Sequence, residues 1–220
     1  MSLVTRHLSL IKMPVKESSD ELNPPVVTTG VLIARPARKR SAGDYLALAI
    51  ATCGVGYMPL APGTWGSLLG IVIFKFWHFL MLRFVFAHGG DDSSIPAGIG
   101  PLLTLFTMAL VFVITLIGIW AATRVEKISG RKDPGIVVID EVAGQFITLS
   151  FLSYFDSNKW PLILAGFLLF RIFDIWKPYP IRRLEALESG LGIMADDVLA
   201  GAYAAMVLSL VTAIYLFWRY

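Results

Sequence analysis

The stretch "GIMADDVLAGAYAAMVLSLVTAIYLFW", Gly192 to Trp218, decides how the chain is read. From Val198 to Trp218 it contains no charged residue, and about 20 apolar residues are what a helix needs to cross some 30 Å of hydrocarbon. Directly before this run stand two adjacent carboxylates, Asp196 and Asp197. A membrane-length helix with two acids at its mouth raises the question of what neutralises them.

Two further stretches have the length of a span. Trp65 to Val85 carries Lys75 and His78, and Pro101 to Ala122 carries no charge. Val142 to Phe155 and Trp160 to Phe170 are shorter; apolar runs of about 10 to 14 residues fit buried or re-entrant helices as well as spans. The chain has 220 residues, 56% of them hydrophobic and only 16% charged. These features predict an all-α, multi-helix bundle embedded in a membrane. The domain is expected over residues 44–220, behind a polar and basic extension, 1–43, that includes "VKESSDELNPPVVTTG" and "ARPARKR". The extension lacks the contiguous apolar core of a secretory signal and is read as a solvated arm. A net charge of +3, with no basic stripe interleaved with aromatics, argues against nucleic acid as a partner. The single cysteine, Cys53, excludes an internal disulfide.

Positive residues in short loops stay on the cytoplasmic side. Arg35, Arg38, Lys39 and Arg40 precede the first span, whereas the following loop, "AHGGDDSSIPAGIG", has only Asp91 and Asp92 as formal charges. After the second span, "TRVEKISGRKDPG" holds Arg124, Lys127, Arg131 and Lys132; the connection before the last span holds Arg171, Lys177, Arg182 and Arg183. These basic loops are expected inside. Either both short runs cross, making five crossings with an outside C-terminus, or they form a re-entrant hairpin whose ends return inside. In both cases Asp140 and Glu141, Asp174, and Asp196 with Asp197 fall on the inward face.

A single Asp at a helix start caps free N–H groups and complements the helix dipole. Neighbours in "DE" and "DD" lie about 100° apart on a helix, so both cannot cap one turn. Adjacent like charges at a membrane boundary are costly unless a cation neutralises them. Oxygen-only ligands favour Mg²⁺, Mn²⁺ or Ca²⁺, and Mg²⁺ is held by one or two carboxylates with water and substrate phosphate. His7, His78 and His88 all lie away from the inward motifs, which leaves metal-activated water as the nucleophile and a free carboxylate as base.

In "FRIFDIWKPYPIRRLE", Arg171 and Asp174 share a helix face, as a structural ion pair or as part of a site. Pro178 and Pro180 then turn the chain and present Lys177, Arg182 and Arg183 beside the acids. These cations suit a phosphate-bearing substrate or an anionic lipid surface. The Gly- and Pro-rich "GVGYMPLAPGTWGSLLG" reads as a structured loop in which Thr64 or Ser67 caps the next helix, with Gly63 close by. Asp133, in "KDPG", is a turn residue or a supporting acid.

The motifs "PLAPGTWGSL" (Pro59–Leu68), "KDPGIVVIDEVAGQFITL" (Lys132–Leu149), "FRIFDIWKPYPIRRLE" (Phe170–Glu185) and "GLGIMADDVLAGAYAA" (Gly190–Ala205) resemble, in this order, those of the phosphatidylglycerophosphatase A family. The resemblance implies an all-helical, Mg²⁺-dependent phosphomonoesterase of the bacterial inner membrane. Its expected reaction converts phosphatidylglycerophosphate to phosphatidylglycerol at the cytoplasmic face. Asp140, Glu141, Asp174, Asp196 and Asp197 match the family's acidic motifs as expected metal-binding and catalytic positions. On this reading Arg171, Lys177 and Arg182 take the phosphate, and the Gly63–Ser67 loop, with Thr64, closes over the headgroup. Two rivals are a small ion-coupled transporter, which would place its acids near the midplane, and a CDP-alcohol phosphotransferase, whose longer spaced signature the chain does not show.

Overall fold

The structure, a computed structural model, describes residues 40–88, 99–152 and 159–219. Most of the expected extension, much of the acidic loop and most of the "DSNK" link lie outside the described residues. The described residues form α1 (Ala42–Thr52), a 3₁₀ turn (Val55–Tyr57), α2 (Pro62–Ala87), α3 (Ile99–Ser129), α4 (Ile139–Ser150), α5 (Trp160–Trp176), α6 (Ile181–Leu184) and α7 (Ser189–Arg219), with no strand among them. The expected all-helical class is therefore observed.

Three helices are long and apolar enough to cross a membrane: α2, α3, and α7 over Ser189–Tyr215. They contain the three long stretches read from the sequence. The two short runs correspond to α4, with 12 residues, and α5, with 17. At 1.5 Å per residue α4 is about 18 Å long, short of the hydrocarbon thickness.

Helix α4 forms the core. All of its residues except Glu141 and Ser150 are buried, and it packs against α2, α3, α5 and α7. Large apolar side chains instead cover the outside, among them Phe76, Phe112, Leu168 and Met206, each more than half exposed. Between the helices lie small or polar residues such as Gly66, Ser67, Gln145, Thr148 and Gly201. Small residues inside and large apolar residues outside suit helices solvated by lipid, whose association rests on close packing and interhelical hydrogen bonds.

The crossing of α4 and α7 shows that logic. A Cβ at Gly201 would strike the carbonyl oxygen of Gly144, so the two backbones meet where neither helix has a side chain. The Thr148 hydroxyl donates there, 2.9 Å from the Gly144 carbonyl and 3.3 Å from that of Gly201. The buried Thr148 hydroxyl is thus satisfied at the interface itself.

The first helix is tied down at its start. Ser41 is the N-cap of α1 and forms a reciprocal capping box with Asp44, so the ordered turn reaches into residues expected to belong to the extension. "SAGD" carries that signal, since a Ser followed three residues later by a carboxylate marks a helix start. Asp44 also accepts from Arg124 Nε on α3 at 2.7 Å, which ties α1 to the end of α3. The hydrogen bond from the Ser41 backbone and the Arg124 guanidinium lower the Asp44 carboxyl from 3.8 to about 2. Cys53 ends α1 in a left-handed conformation and its thiol lies 3.1 Å from the Ile50 carbonyl. Burial raises that thiol to about 11, which keeps it protonated and structural.

Two outcomes test this architecture. Gly201→Ala should already lower the thermal midpoint of detergent-solubilised protein, since its Cβ meets the Gly144 carbonyl, and Gly201→Leu should lower it further, because overpacking at a backbone contact costs about 1–3 kcal/mol or more. The Asp44 carboxylate, whose pKa is depressed on folding, stabilises above its ordinary value of 3.8 and loses that contribution as pH falls through about 2. The difference in thermal midpoint between wild type and Asp44→Asn should therefore close over that acid interval and persist at neutral pH.

Candidate active site

Most polar residues singled out in the sequence come together at one end of the bundle. There the start of α2, the connection after α3, the start of α4, the end of α5 and the first turns of α7 enclose a cavity of about 700 Å³. Asp133, Asp140, Glu141, Asp174, Glu185, Asp196 and Asp197 line it, with Lys132, Arg171, Lys177 and Arg182.

The five expected acids have different surroundings. Asp140, Glu141 and Asp197 each offer a carboxylate oxygen, and these oxygens lie within 4.8 Å of one another. Asp140 Oδ1 and Glu141 Oε2 are buried without a hydrogen-bond partner. Asp174 and Asp196 are already paired: Arg171 Nη1 donates to Asp174 Oδ2 at 2.7 Å, and Lys177 Nζ donates to Asp196 Oδ2 at 2.7 Å. Three carboxylates therefore converge, while two hold the cations at their side.

Helix capping does not explain the three. The N-cap of α4 is Val138, which makes no side-chain cap, and Asp140 and Glu141 lie inside the first turn. Helix α7 begins at Ser189, so Asp196 and Asp197 sit about two turns within it rather than at its entrance. This corrects the placement expected from Val198, and the reason is that "SGLGIM" continues the helix upstream of the acids. Asp174 lies in the last turn of α5, where the helix dipole disfavours a negative charge; Arg171 compensates it.

Burial, followed by the adjacent Glu141 carboxylate, holds the Asp140 carboxyl well above the usual carboxylate range. Burial also raises Glu141. Burial works against the Lys177 ammonium, but the hydrogen bond that it donates to Asp196 outweighs this and raises the lysine above its ordinary value. The trio is thus an all-oxygen set of carboxyls whose charged form is disfavoured by burial, with an unpartnered buried atom on Asp140 and on Glu141, and a hard divalent cation such as Mg²⁺ or Mn²⁺ fits such a set and would favour its ionised form.

The α2 end departs from expectation. Its N-cap is Ala61 and no side chain caps it, so neither Thr64 nor Ser67 has the capping role. Pro62 occupies the first helical position, a place suited to proline, and so Thr64 and Ser67 already lie inside the helix. Ser67 is buried and its hydroxyl donates to the Gly63 carbonyl at 2.9 Å. Neither Thr64 nor Ser67 lines the cavity, whereas Gly63 does. A Cβ at Gly63 would collide with Glu141 Oε1 and would lie 3.2 Å from Arg171 Nη1. Gly63 therefore leaves the room that Glu141 and Arg171 occupy.

Lys132, expected only as a basic-loop residue, and Glu185 and Gln145, with no expected role, stand out in the structure. Lys132 and Glu185 line the cavity, and Glu185 Oε2 lies 3.6 Å from Lys177 Nζ. Gln145, one turn beyond Glu141 on α4, is fully buried with both side-chain amide atoms unpartnered. Its position four residues after an acid was the available signal, since i and i+4 share a helix face.

Gly63→Ala should displace the Glu141 carboxylate without unfolding the bundle. Misplacing a group around a metal site typically costs 10- to 100-fold in affinity. Titration calorimetry with Mn²⁺ should show a loss of about tenfold or more, with a thermal midpoint close to that of wild type.

The chain is similar to several curated proteins. It is 39% identical over 159 residues, 71% of this chain and 86% of the relative, to a Bacteroides thetaiotaomicron protein provisionally named a phosphatidylinositol-3-phosphatase. It is 37% identical to the phosphatidylglycerophosphatase A of Haemophilus influenzae, covering 78% of this chain and 91% of that one. It is 34% identical to the phosphatidylglycerophosphatase A of Escherichia coli, covering 70% and 76% respectively. No solved structure matches significantly. The family model described as phosphatidylglycerophosphatase A matches residues 48–212, a range that holds the whole acid trio and both ion pairs beside it. With most of its length matched by that model and by two relatives of that name, the chain belongs to the phosphatidylglycerophosphatase A family.

Proposed function

We propose that this membrane-associated member of the family is a Mg²⁺-dependent phosphatase that hydrolyses the terminal monoester of phosphatidylglycerophosphate. The products are phosphatidylglycerol and inorganic phosphate, released at the cytoplasmic face of the bacterial inner membrane. The observation that carries the reading is the convergence of Asp140, Glu141 and Asp197, with two buried oxygens lacking partners, beside cations that can hold a phosphate.

Asp140, Glu141 and Asp197 would hold the cation. Mg²⁺ supplies polarisation of the phosphoryl oxygen and a lowered pKa for water. The residues of the chain do the rest. Arg171 and Lys177 are each oriented by one carboxylate at 2.7 Å and keep further N–H groups for phosphate oxygens. Arg182 adds a third cation at the cavity wall. A carboxylate oxygen of the trio accepts the proton of the attacking water as its oxygen bonds to phosphorus, the P–O bond to the lipid glycerol breaks, and that proton passes to the departing glycerol oxygen. Asp174 and Asp196 act as positioning residues by fixing Arg171 and Lys177.

The acids sit at one end of the bundle, which supports a hydrolase at a membrane surface over an ion-coupled transporter. Family membership likewise supports hydrolysis over CDP-alcohol phosphotransfer. Lys132, Lys177 and Arg182 belong to the same end, and this favours the inside face. The Bacteroides relative supports a second substrate, a phosphoinositide monophosphate, as a comparison in the assay.

The test is phosphate release by purified protein from phosphatidylglycerophosphate, phosphatidic acid and phosphatidylinositol 3-phosphate, with and without EDTA. Phosphatidylglycerophosphate should be hydrolysed fastest and chelation should stop the reaction. Equal rates on all three lipids would refute the substrate, and indifference to EDTA would refute the metal. Asp140→Asn and Asp197→Asn should each lower kcat by at least about 10³-fold, a loss of about 4 kcal/mol of transition-state stabilisation, in a protein that remains folded by circular dichroism.

A further inference from the structure

Beside the acidic cavity lies a second one of about 500 Å³, lined by Trp176, Lys177, Pro178, Tyr179, Arg182 and Arg183. Lys177 and Arg182 line both, so their side chains form the shared wall. The charges of the two cavities are opposite. Seven carboxylates and four cations line the inner one; three cations and no carboxylate line the outer one.

The outer cations are also less committed. Lys177 is held by Asp196, whereas neither Arg182 nor Arg183 has a carboxylate partner among the described residues. The Arg183 guanidinium lies over the Tyr179 ring, 4.9 Å from its centroid, and Nη1 donates to the Tyr179 hydroxyl at 3.3 Å. Stacking orients the guanidinium while leaving most of its N–H groups available. Trp176 and Tyr179 are 67% and 72% exposed, and Trp and Tyr are enriched at the headgroup level of a bilayer. A cationic pocket with exposed aromatic edges at that level suits a lipid phosphodiester.

Resting on the phosphatase reading above, we propose that the outer pocket, through Arg183 with Arg182, binds the phosphodiester of the same lipid whose terminal monoester enters the acidic cavity. The substrate carries two phosphates separated by one glycerol, and the two cavities adjoin, with Lys177 and Arg182 in the lining of both. A lipid bearing both groups can occupy both sites; phosphatidic acid, with its single phosphate, can occupy only the inner one. The pocket is therefore a specificity determinant, and Arg183, the one of its cations that does not also line the acidic cavity, acts on recognition rather than on bond cleavage.

The experiment uses the full chain in uncharged detergent micelles, where general attraction to an anionic surface is absent, with Arg183→Gln and Arg183→Lys. A charge-assisted hydrogen bond contributes enough to change binding by about tenfold or more. Arg183→Gln should raise KM for phosphatidylglycerophosphate by about tenfold with the loss in KM rather than kcat. The selectivity for phosphatidylglycerophosphate over phosphatidic acid, as the ratio of kcat/KM values, should fall about tenfold, and Arg183→Lys should restore part of it. An unchanged KM, a loss confined to kcat, or an equal loss on both lipids would each overturn the subsite. Wild type inactive on phosphatidylglycerophosphate would instead remove the reading on which the subsite rests.

Discussion

The structure depends on placing carboxylates at the start of a helix that is otherwise its core. Helix α4 has apolar or small neighbours along nearly its whole length, yet it opens with Asp140 and Glu141, and α7 brings Asp197 against them. In low-dielectric surroundings three anions that close repel strongly and lack solvation. A shared divalent cation or bound protons must balance them, and Asp140 and Glu141 each keep a buried oxygen without a hydrogen-bond partner.

The surrounding packing makes that concentration of charge possible. Gly144 and Gly201 let α4 and α7 approach at their backbones, and Gly63 gives Glu141 the space a side chain on α2 would take. Arg171 and Lys177, each bound to a carboxylate of its own, stand at the cavity without cancelling the trio. The site consequently holds three converging carboxylates beside cations that carry their own counter-charges, a combination that suits a cation together with a phosphate.

Much of the site was legible in the chain. The doublets "DE" and "DD" identify themselves because adjacent acids cannot both cap a helix, and Arg171 with Asp174 follows from their spacing on one helix face. The loop before α2 was harder to read. Thr64 and Ser67 have the chemistry of caps, but Pro62 starts the helix ahead of them. The Asp44–Arg124 pair joins residues 80 positions apart, a contact without a local signal.

The sequence alone determined the helical class and the three long apolar segments, because hydropathy and length are local properties of a chain in lipid. It also determined that carboxylates accumulate next to the basic loops. Only the tertiary structure decided which acids converge and which are paired to Arg171 and Lys177, and that a second pocket, lined by cations and aromatic residues without a carboxylate, shares Lys177 and Arg182 with the first. Those outcomes depend on how α4, α5 and α7 cross and rotate against one another, and side-chain packing between distant segments sets that geometry.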